Sequence, residues 1–337
     1  MAQPIHVSLV ALPEVMISPL AGLYEVLTLF ETLGSFDDAV PRKPPFEVQI
    51  VAPADMPQTG ASGLPHGAAV TFDQVAQTDI VIVPSLLVAD AAWVPGRYPD
   101  LVAWLAARHA EGAILCSACS GVLLLAETGL LNGREATIHW AYEKTFRENF
   151  PEVRLKLEEV LVISGVRRDF VMSGASASWH DLVLYLIARL VSPTAAQAIA
   201  RFMLLQWHGD GQAPYVAFNP PLDHEDAIVR DLQHWLKRNF ALANPLEEMQ
   251  QRSGLPTRSF KRRFTAATGL PPIRYVQNIR VEEAKRRLER TQTPVDQISW
   301  DVGYQDPAFF RRLFKRSTRL TPADYRRKFR LPNLDLM

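Results

Sequence analysis

Hydrophobic and polar positions alternate in two different rhythms along the 337-residue chain, and the change of rhythm divides it. In the first two hundred residues, short apolar runs rich in β-branched residues alternate with stretches whose apolar positions recur every three or four residues. The runs predict strands at Ile5–Leu12, Phe46–Ala52, Ile80–Pro84, Ala113–Cys116 and Phe170–Ser173. The spaced stretches predict helices at Gly22–Leu33, Asp100–Glu111, Gly121–Thr128 and Trp179–Leu190. Strands alternating with helices of this length predict an α/β fold, a mostly parallel sheet sandwiched by helices, with ligands settling at the carboxyl ends of the strands.

After Ser192 the strand rhythm disappears. A helical run at Thr194–Trp207 leads to Gly209-Asp210-Gly211, which reads as a turn, and then to Asn219-Pro220-Pro221-Leu222-Asp223, a helix-stopping, semi-rigid spacer. The organisation expected is a first domain over 1–207, a linker over 208–226 and an all-helical domain over 227–331. The helical domain repeats itself. Leu246, Met249 and Gly254 recur 49 positions on as Val295, Ile298 and Gly303. Phe260, Arg262, Phe264, Pro272 and Tyr275 recur 50 positions on as Phe310, Arg312, Phe314, Pro322 and Tyr325. Each copy reads as a helix, a glycine-containing turn and a second helix, a helix-turn-helix twice over. A helix at Val276–Leu288 joins the two copies. If rigid, it sets their second helices about 34 Å apart, in successive major grooves.

In those second helices the phenylalanines four apart mark the inward face. Arg258, Lys261 and Arg262 mark the outward face of the first copy, and Arg311, Arg312 and Lys315 that of the second. Guanidinium forks match guanine edges and phosphates, so these six residues are the candidate DNA contacts. Arg286, Arg287 and Arg290, near the end of the connecting helix, read as solvated or phosphate-contacting. Asp306-Pro307 is a helix start signal.

Charge sharpens this division. The chain is neutral overall, yet residues 1–224 carry 13 Lys+Arg against 23 Asp+Glu, and residues 225–337 carry 23 against 13. A domain of charge −10 is joined to one of +10, and the second suits a polyanion. A 48% hydrophobic, 21% charged composition excludes wholesale disorder. No apolar stretch is uninterrupted enough to span a membrane, no secretory signal is visible, and two cysteines fit a reducing cytosol, so the expectation is a cytoplasmic protein without membrane contact. The eight scattered histidines give no metal site, and no cofactor is expected.

One strand end carries candidate chemistry. Ala113-Ile-Leu-Cys-Ser-Ala-Cys119-Ser-Gly121 reads as a buried strand turning sharply into a helix, with Cys119 at the turn and small Ser117 and Gly121 two residues to either side. A nucleophile elbow needs that pattern, and the following helix N-terminus favours thiolate. Cys116 and Cys119 are formally a C-x-x-C pair, but Cys116 is expected inside the strand.

These stretches, with Ala21-Gly-Leu-Tyr-Glu-Val26, Asp79-Ile-Val-Ile-Val-Pro84, Ala126–Arg134, Thr137-Ile-His-Trp140 and Asp181-Leu-Val-Leu, resemble the PfpI superfamily of class I glutamine-amidotransferase-like domains. The resemblance implies a flavodoxin-like fold, a nucleophilic role for Cys119 with His139 near it, and Glu25, Ser120 and Trp140 beside them as ligand-lining residues. The chain departs from the family pattern twice. Ser18-Pro19-Leu20 stands where hydratases carry an acidic residue, and Ser85-Leu86-Leu87 replaces the usual Gly-Gly that supplies oxyanion donors. Cys119 is therefore left between three roles: turnover nucleophile, pocket wall and fold relic.

The segment Gly303–Arg326 resembles the second-unit signature of the AraC/XylS transcription regulators, with Arg319 where that family carries glycine. A different cap conformation is expected there. Together the two resemblances imply a DNA-binding transcription regulator, controlled by a small-molecule effector bound to the first domain. Double-stranded operator DNA, the effector, a second copy in a homodimer, and RNA polymerase are the partners implied. The alternatives are a Cys119-dependent hydrolase or hydratase tethered to DNA, and a first domain that serves only for dimerisation.

Overall fold

The computed structural model describes residues 3–67, 70–220, 222 and 224–330. It divides into two compact units, Met1–Gln212 and Ala213–Met337. Met1, Ala2, Ala68 and Ala69 of the expected first domain lie outside the described residues, as do Pro221 and Asp223 of the expected linker and residue 331 at the expected end of the helical domain.

The strands of the N-terminal unit are β1 (Ile5–Val10), β2 (Phe46–Ala52), β3 (Val70–Thr71), β4 (Ile80–Val83), β5 (Ile114–Ala118), β6 (Glu135–Ala136), β7 (Arg154–Leu155), β8 (Leu161–Ser164) and β9 (Phe170–Ser173). Seven form one sheet in the order β3-β2-β1-β4-β5-β9-β8; β6 and β7 pair separately. Neighbours are parallel from β3 across to β9, and β8 closes the edge antiparallel to β9. The central strands read as unbroken apolar runs because helices cover both faces: Ile80–Val83 is buried at every position.

The covering helices are α1 (Ile17–Thr28), α2 (Phe30–Leu33), α3 (Pro99–Ala110), α4 (Val122–Glu127), α5 (Glu143–Asn149), α6 (Trp179–Leu190) and α7 (Pro193–Phe202). The stretch expected as one helix over Gly22–Leu33 is two, broken at Leu29. Helix α1 packs close to α6. A Cβ on Gly22 would stand 2.4 Å from the Trp179 ring, so only glycine admits that contact. Ser192 caps α7 by accepting from Ala195 N at 3.1 Å, and Pro193 occupies its first turn. The unit ends on an anchored residue: Gln212, 1% exposed, donates its amide to Thr137 Oγ1 and to the Ile138 and Glu159 carbonyls.

The C-terminal unit is helical: α8 (Ala227–Asn239), α9 (Pro245–Ser253), α10 (Thr257–Thr268), α11 (Pro272–Arg290), α12 (Val295–Asp301), α13 (Pro307–Thr318) and α14 (Pro322–Phe329). The sequence repeat is a repeat in space. In α10, Phe260 and Phe264 have ring centres 5.9 Å apart, and Tyr275 meets Phe264 edge-on at 5.1 Å. In α13, Phe310 and Phe314 are 5.7 Å apart, and Tyr325 meets Phe314 edge-on at 5.4 Å. Thr268 and Thr318 each donate to the carbonyl four residues back, of Phe264 and Phe314, and each hydroxyl accepts from the backbone N of Leu270 or Leu320. The connecting helix α11 begins earlier than Val276, at Pro272, and its 19 residues span about 28 Å at 1.5 Å each. Its first half lines the first repeat's core through Tyr275 and Val276, and its second half the other core through Val281, Ala284 and Leu288.

Candidate functional site

The turn after β5 has the sharpness the sequence implies. Cys119 adopts φ 55°, a left-handed conformation unusual for a side chain with a Cβ, and the chain enters α4 through a single tight turn. Gly121 is required by approach: a Cβ there would stand 2.2 Å from the Val83 carbonyl oxygen. What the turn presents differs from a poised nucleophile. Cys119 is 2% exposed and Ser120 and Gly121 are buried with it. Burial pushes the Cys119 thiol up, outweighing hydrogen bonds from Ser176 and Ser120 that favour the anion. That direction opposes the thiolate expected from the helix N-terminus, because burial strips the sulfur of the hydration an anion needs.

The loop that faces the turn is equally committed. Leu86 N donates to Ser120 Oγ at 2.8 Å, Ser120 Oγ donates back to the Leu86 carbonyl, and Leu87 N donates to the Glu14 carbonyl at 2.8 Å. The two amides standing where oxyanion donors belong are both satisfied within the protein.

The remaining ligand-lining residues separate into two places. His139 is half-buried, accepts from Ala141 N through Nδ1 at 3.1 Å and stacks on Trp140 at 5.0 Å. Burial holds its imidazole below the ordinary value. No hydrogen bond joins it to Cys119 among the described residues. Glu25 lies on the outer face of α1 and lines a cleft whose described walls contain none of Cys119, Ser120, His139 and Trp140. The partner that Cys119 has instead is Ser176, whose Oγ lies 3.4 Å from Sγ. Ser176 follows β9, the strand beside β5, so the small-residue run Gly174-Ala-Ser-Ala-Ser178 at a neighbouring strand end was the signal for it. Tyr142 is a second neighbour; burial pushes its phenol up, and the Cys119 sulfur adds to the shift.

In the C-terminal unit all six basic candidates are exposed: Arg258, Lys261 and Arg262 on α10, Arg311, Arg312 and Lys315 on α13. Their buried counterparts on the same helices are Phe260, Phe264, Phe310, Leu313 and Phe314. Arg311 is held by Asp296 of α12, while no ion pair among the described residues engages the other five. Asp306 caps α13, its carboxylate accepting from Ala308 N at 2.8 Å. Arg319 takes φ 60°, ψ −6°, nearly the φ 74°, ψ −2° of Gly269, so the different cap conformation expected there is corrected to the same one.

The basic residues of α11 divide differently from their sequence reading. Arg286 and Arg287 are both paired with Glu283, and Arg287 reaches Asp301 of α12 at 2.6 Å, so these two are ion-paired within the unit. The periodic reading passed over Arg280 and Lys285, each 6% exposed. Arg280 donates to three carbonyls, Phe240 at 2.8 Å, Leu242 at 2.7 Å and Gly303 at 3.0 Å, and lies over the Tyr304 ring at 4.8 Å. It ties the end of α8 to the turn of the second repeat. Lys285 donates to the Val216 carbonyl at 2.6 Å and to Glu282 at 2.8 Å. Neither is a surface charge.

Residues 21–164 match the DJ-1/PfpI family, and residues 249–328 match a helix-turn-helix domain. The chain is 28% identical over 231 residues to the HTH-type transcriptional regulator CdhR of Pseudomonas aeruginosa, an alignment covering 68% of this chain and 67% of that protein. It is 26% identical over 214 residues to the HTH-type transcriptional regulator GlxA of Rhizobium meliloti, covering 62% and 64%. The chain thus spans about two thirds of the length of these curated relatives. A crystal structure of an AraC family transcriptional regulator from Pseudomonas putida superposes with a TM-score of 0.49 at 19% identity, over 59% of this chain and all of that one. Among the described residues no helix is long and apolar enough to cross a membrane. The chain thus matches the DJ-1/PfpI family in its N-terminal unit and a helix-turn-helix domain in its C-terminal unit, and along most of its length it is similar to HTH-type transcriptional regulators.

Proposed function

We propose that the protein is a sequence-specific DNA-binding transcription regulator whose C-terminal unit reads duplex DNA through α10 and α13, and whose N-terminal unit answers to a small-molecule effector. The observation that carries the reading is the pair of recognition helices. Each buries the same two aromatic rings and exposes arginine on the opposite face, and Arg262 and Arg312 occupy equivalent positions free of ion pairs among the described residues. Arginine left without an acidic partner on a solvent-facing helix has its fork available for a guanine edge or a phosphate. Action in the cytoplasm, a homodimer and contact with RNA polymerase belong to the same reading.

The test is selection of binding sites from random duplex DNA by the full chain, followed by footprinting. Arg262→Ala and Arg312→Ala are each expected to weaken binding by about 1–3 kcal/mol and to relax preference at particular base pairs. A loss uniform across sequences assigns them to phosphate instead, and no salt-dependent, sequence-preferring binding by the folded wild type defeats the reading.

Two observations favour a sensing or structural turn at Cys119 over turnover: the burial of the thiol and the satisfied Leu86 and Leu87 amides. Alkylation of Cys119 in the folded protein at neutral pH is expected to run at least about tenfold slower than that of a free cysteine. Reaction as fast as a free thiol, with amide or isocyanide turnover, returns the enzyme alternative.

A further inference from the structure

The cleft that Glu25 lines has a volume of about 540 Å³, within the range that encloses small organic ligands. It lies between the outer face of α1, the strand β2 and the Pro65–Gly67 segment. Positions Ile17, Ala21, Tyr24 and Glu25 fall on one side of α1 because they are spaced three and four apart. Ile17, Leu20, Val48 and Ile50 supply apolar wall. The polar groups are selective in kind. Glu25 is the single formally charged side chain among the described lining residues, and no lysine or arginine accompanies it. Gln49 spends its amide on Ser8 Oγ at 3.2 Å.

His66 is the second unusual feature. It is 8% exposed, and burial holds its imidazole below the ordinary value, which favours the neutral ring. The backbone of Pro57 and Gly67 stands close enough to hold part of that shift back, yet neither buried ring nitrogen makes a well-formed hydrogen bond among the described residues. A buried polar group left in that condition costs free energy that a guest would recover. The cleft therefore offers a carboxylate and a neutral imidazole between apolar walls. An anion would meet Glu25 without compensation, whereas a cation would gain a counter-ion beside apolar walls.

We infer that this cleft binds a small organic cation, an ammonium or amidinium head on an apolar body, with Glu25 as its counter-ion and His66 as a hydrogen-bond partner. The inference deepens the effector half of the proposed function. It rests on that reading only for the step from occupancy to DNA, since occupancy itself is measured with no DNA present.

The experiment is calorimetric titration of the full chain with three probes of one shape: phenethylammonium, 2-phenylethanol and phenylacetate. The cation is expected to saturate within the millimolar range and to bind at least about tenfold tighter than the alcohol, with the anion weakest. Glu25→Gln, at an exposed helix position, should bring the cation down to the level of the alcohol. Ala21→Trp, which adds bulk on the exposed face of α1, should block all three, while Cys119→Ala should leave the order unchanged. Absence of saturable cation binding by the wild type overturns the inference, as does a Glu25→Gln protein that keeps the preference. It is overturned too if Cys119→Ala removes binding that Ala21→Trp spares. Circular-dichroism melts identify any variant that fails to fold, and in that event Glu25→Gln decides. A wild type that binds the cation and ignores DNA defeats the regulator reading and leaves this site standing.

Discussion

The two helix-turn-helix copies share a sequence pattern and an aromatic core, but they hold their turns by different means. In the first, Gly254 takes φ 63° with nothing within 4 Å of where a Cβ would sit. In the second, Gly303 takes φ 90° against a wall: a Cβ would stand 2.7 Å from the Ala241 carbonyl oxygen and 2.8 Å from the Arg280 guanidinium. The first glycine is needed for its backbone conformation alone, the second also for closeness. The C-terminal caps reverse the lesson. Gly269 and Arg319 adopt one conformation although only the first lacks a Cβ. What they share is the threonine hydroxyl before the cap, bridging the carbonyl four back to the leucine amide two ahead, and that bridge holds the left-handed residue whatever its side chain.

The largest effect should come from Arg280→Ala. It leaves the Phe240, Leu242 and Gly303 carbonyls without their buried donor, and we expect a loss of about 3 kcal/mol or more, read by denaturant unfolding of the full chain. A loss below about 1 kcal/mol would show that water replaces the guanidinium and that the copies are not tied there. Next, Gly303→Ala should cost about 2–3 kcal/mol and Gly254→Ala only about 1, because both strain the backbone but only the former drives a methyl into a carbonyl. Equal losses would erase the distinction drawn between the turns. Gly269→Arg should lower stability by about 1 kcal/mol, the cost of left-handed backbone for a residue with a Cβ, read by the same unfolding measurement.

Much of the fold was legible in the chain, for a physical reason. Central parallel strands are buried on both faces, so Phe170–Ser173 stands out as an apolar run with the limits the structure gives it. Strand β8 escaped because it is an edge strand, only half-buried over Leu161–Ser164, and β3 because two residues carry no period. The repeat was legible because two aromatic cores of one design demand the same residues at the same spacing. The basic faces of α10 and α13 were legible likewise, as the complement of the aromatic ones.

The sites were legible to a lesser degree. Cys119 was found from its neighbours, since small residues around a sharp turn are a local requirement. Its neighbours in space were not, because Ser176 and Tyr142 arrive from 57 and 23 residues away. Glu25 was identified by resemblance alone, and the cleft it lines is made by a segment some 40 residues on. Arg280 and Lys285 look from the sequence like charges on a solvated helix. Only the carbonyls of Phe240, Gly303 and Val216, distant along the chain, reveal them as buried fasteners.

Helix α11 serves two masters, completing one aromatic core with its first turns and the other with its last. Neither copy owns a full set of walls, so the pair has no natural seam. Cut anywhere along that rod, the halves would each forfeit a side of their interior, and the two should therefore melt in a single cooperative step. Recombination that swaps such regulators' DNA specificities must carry both copies across together.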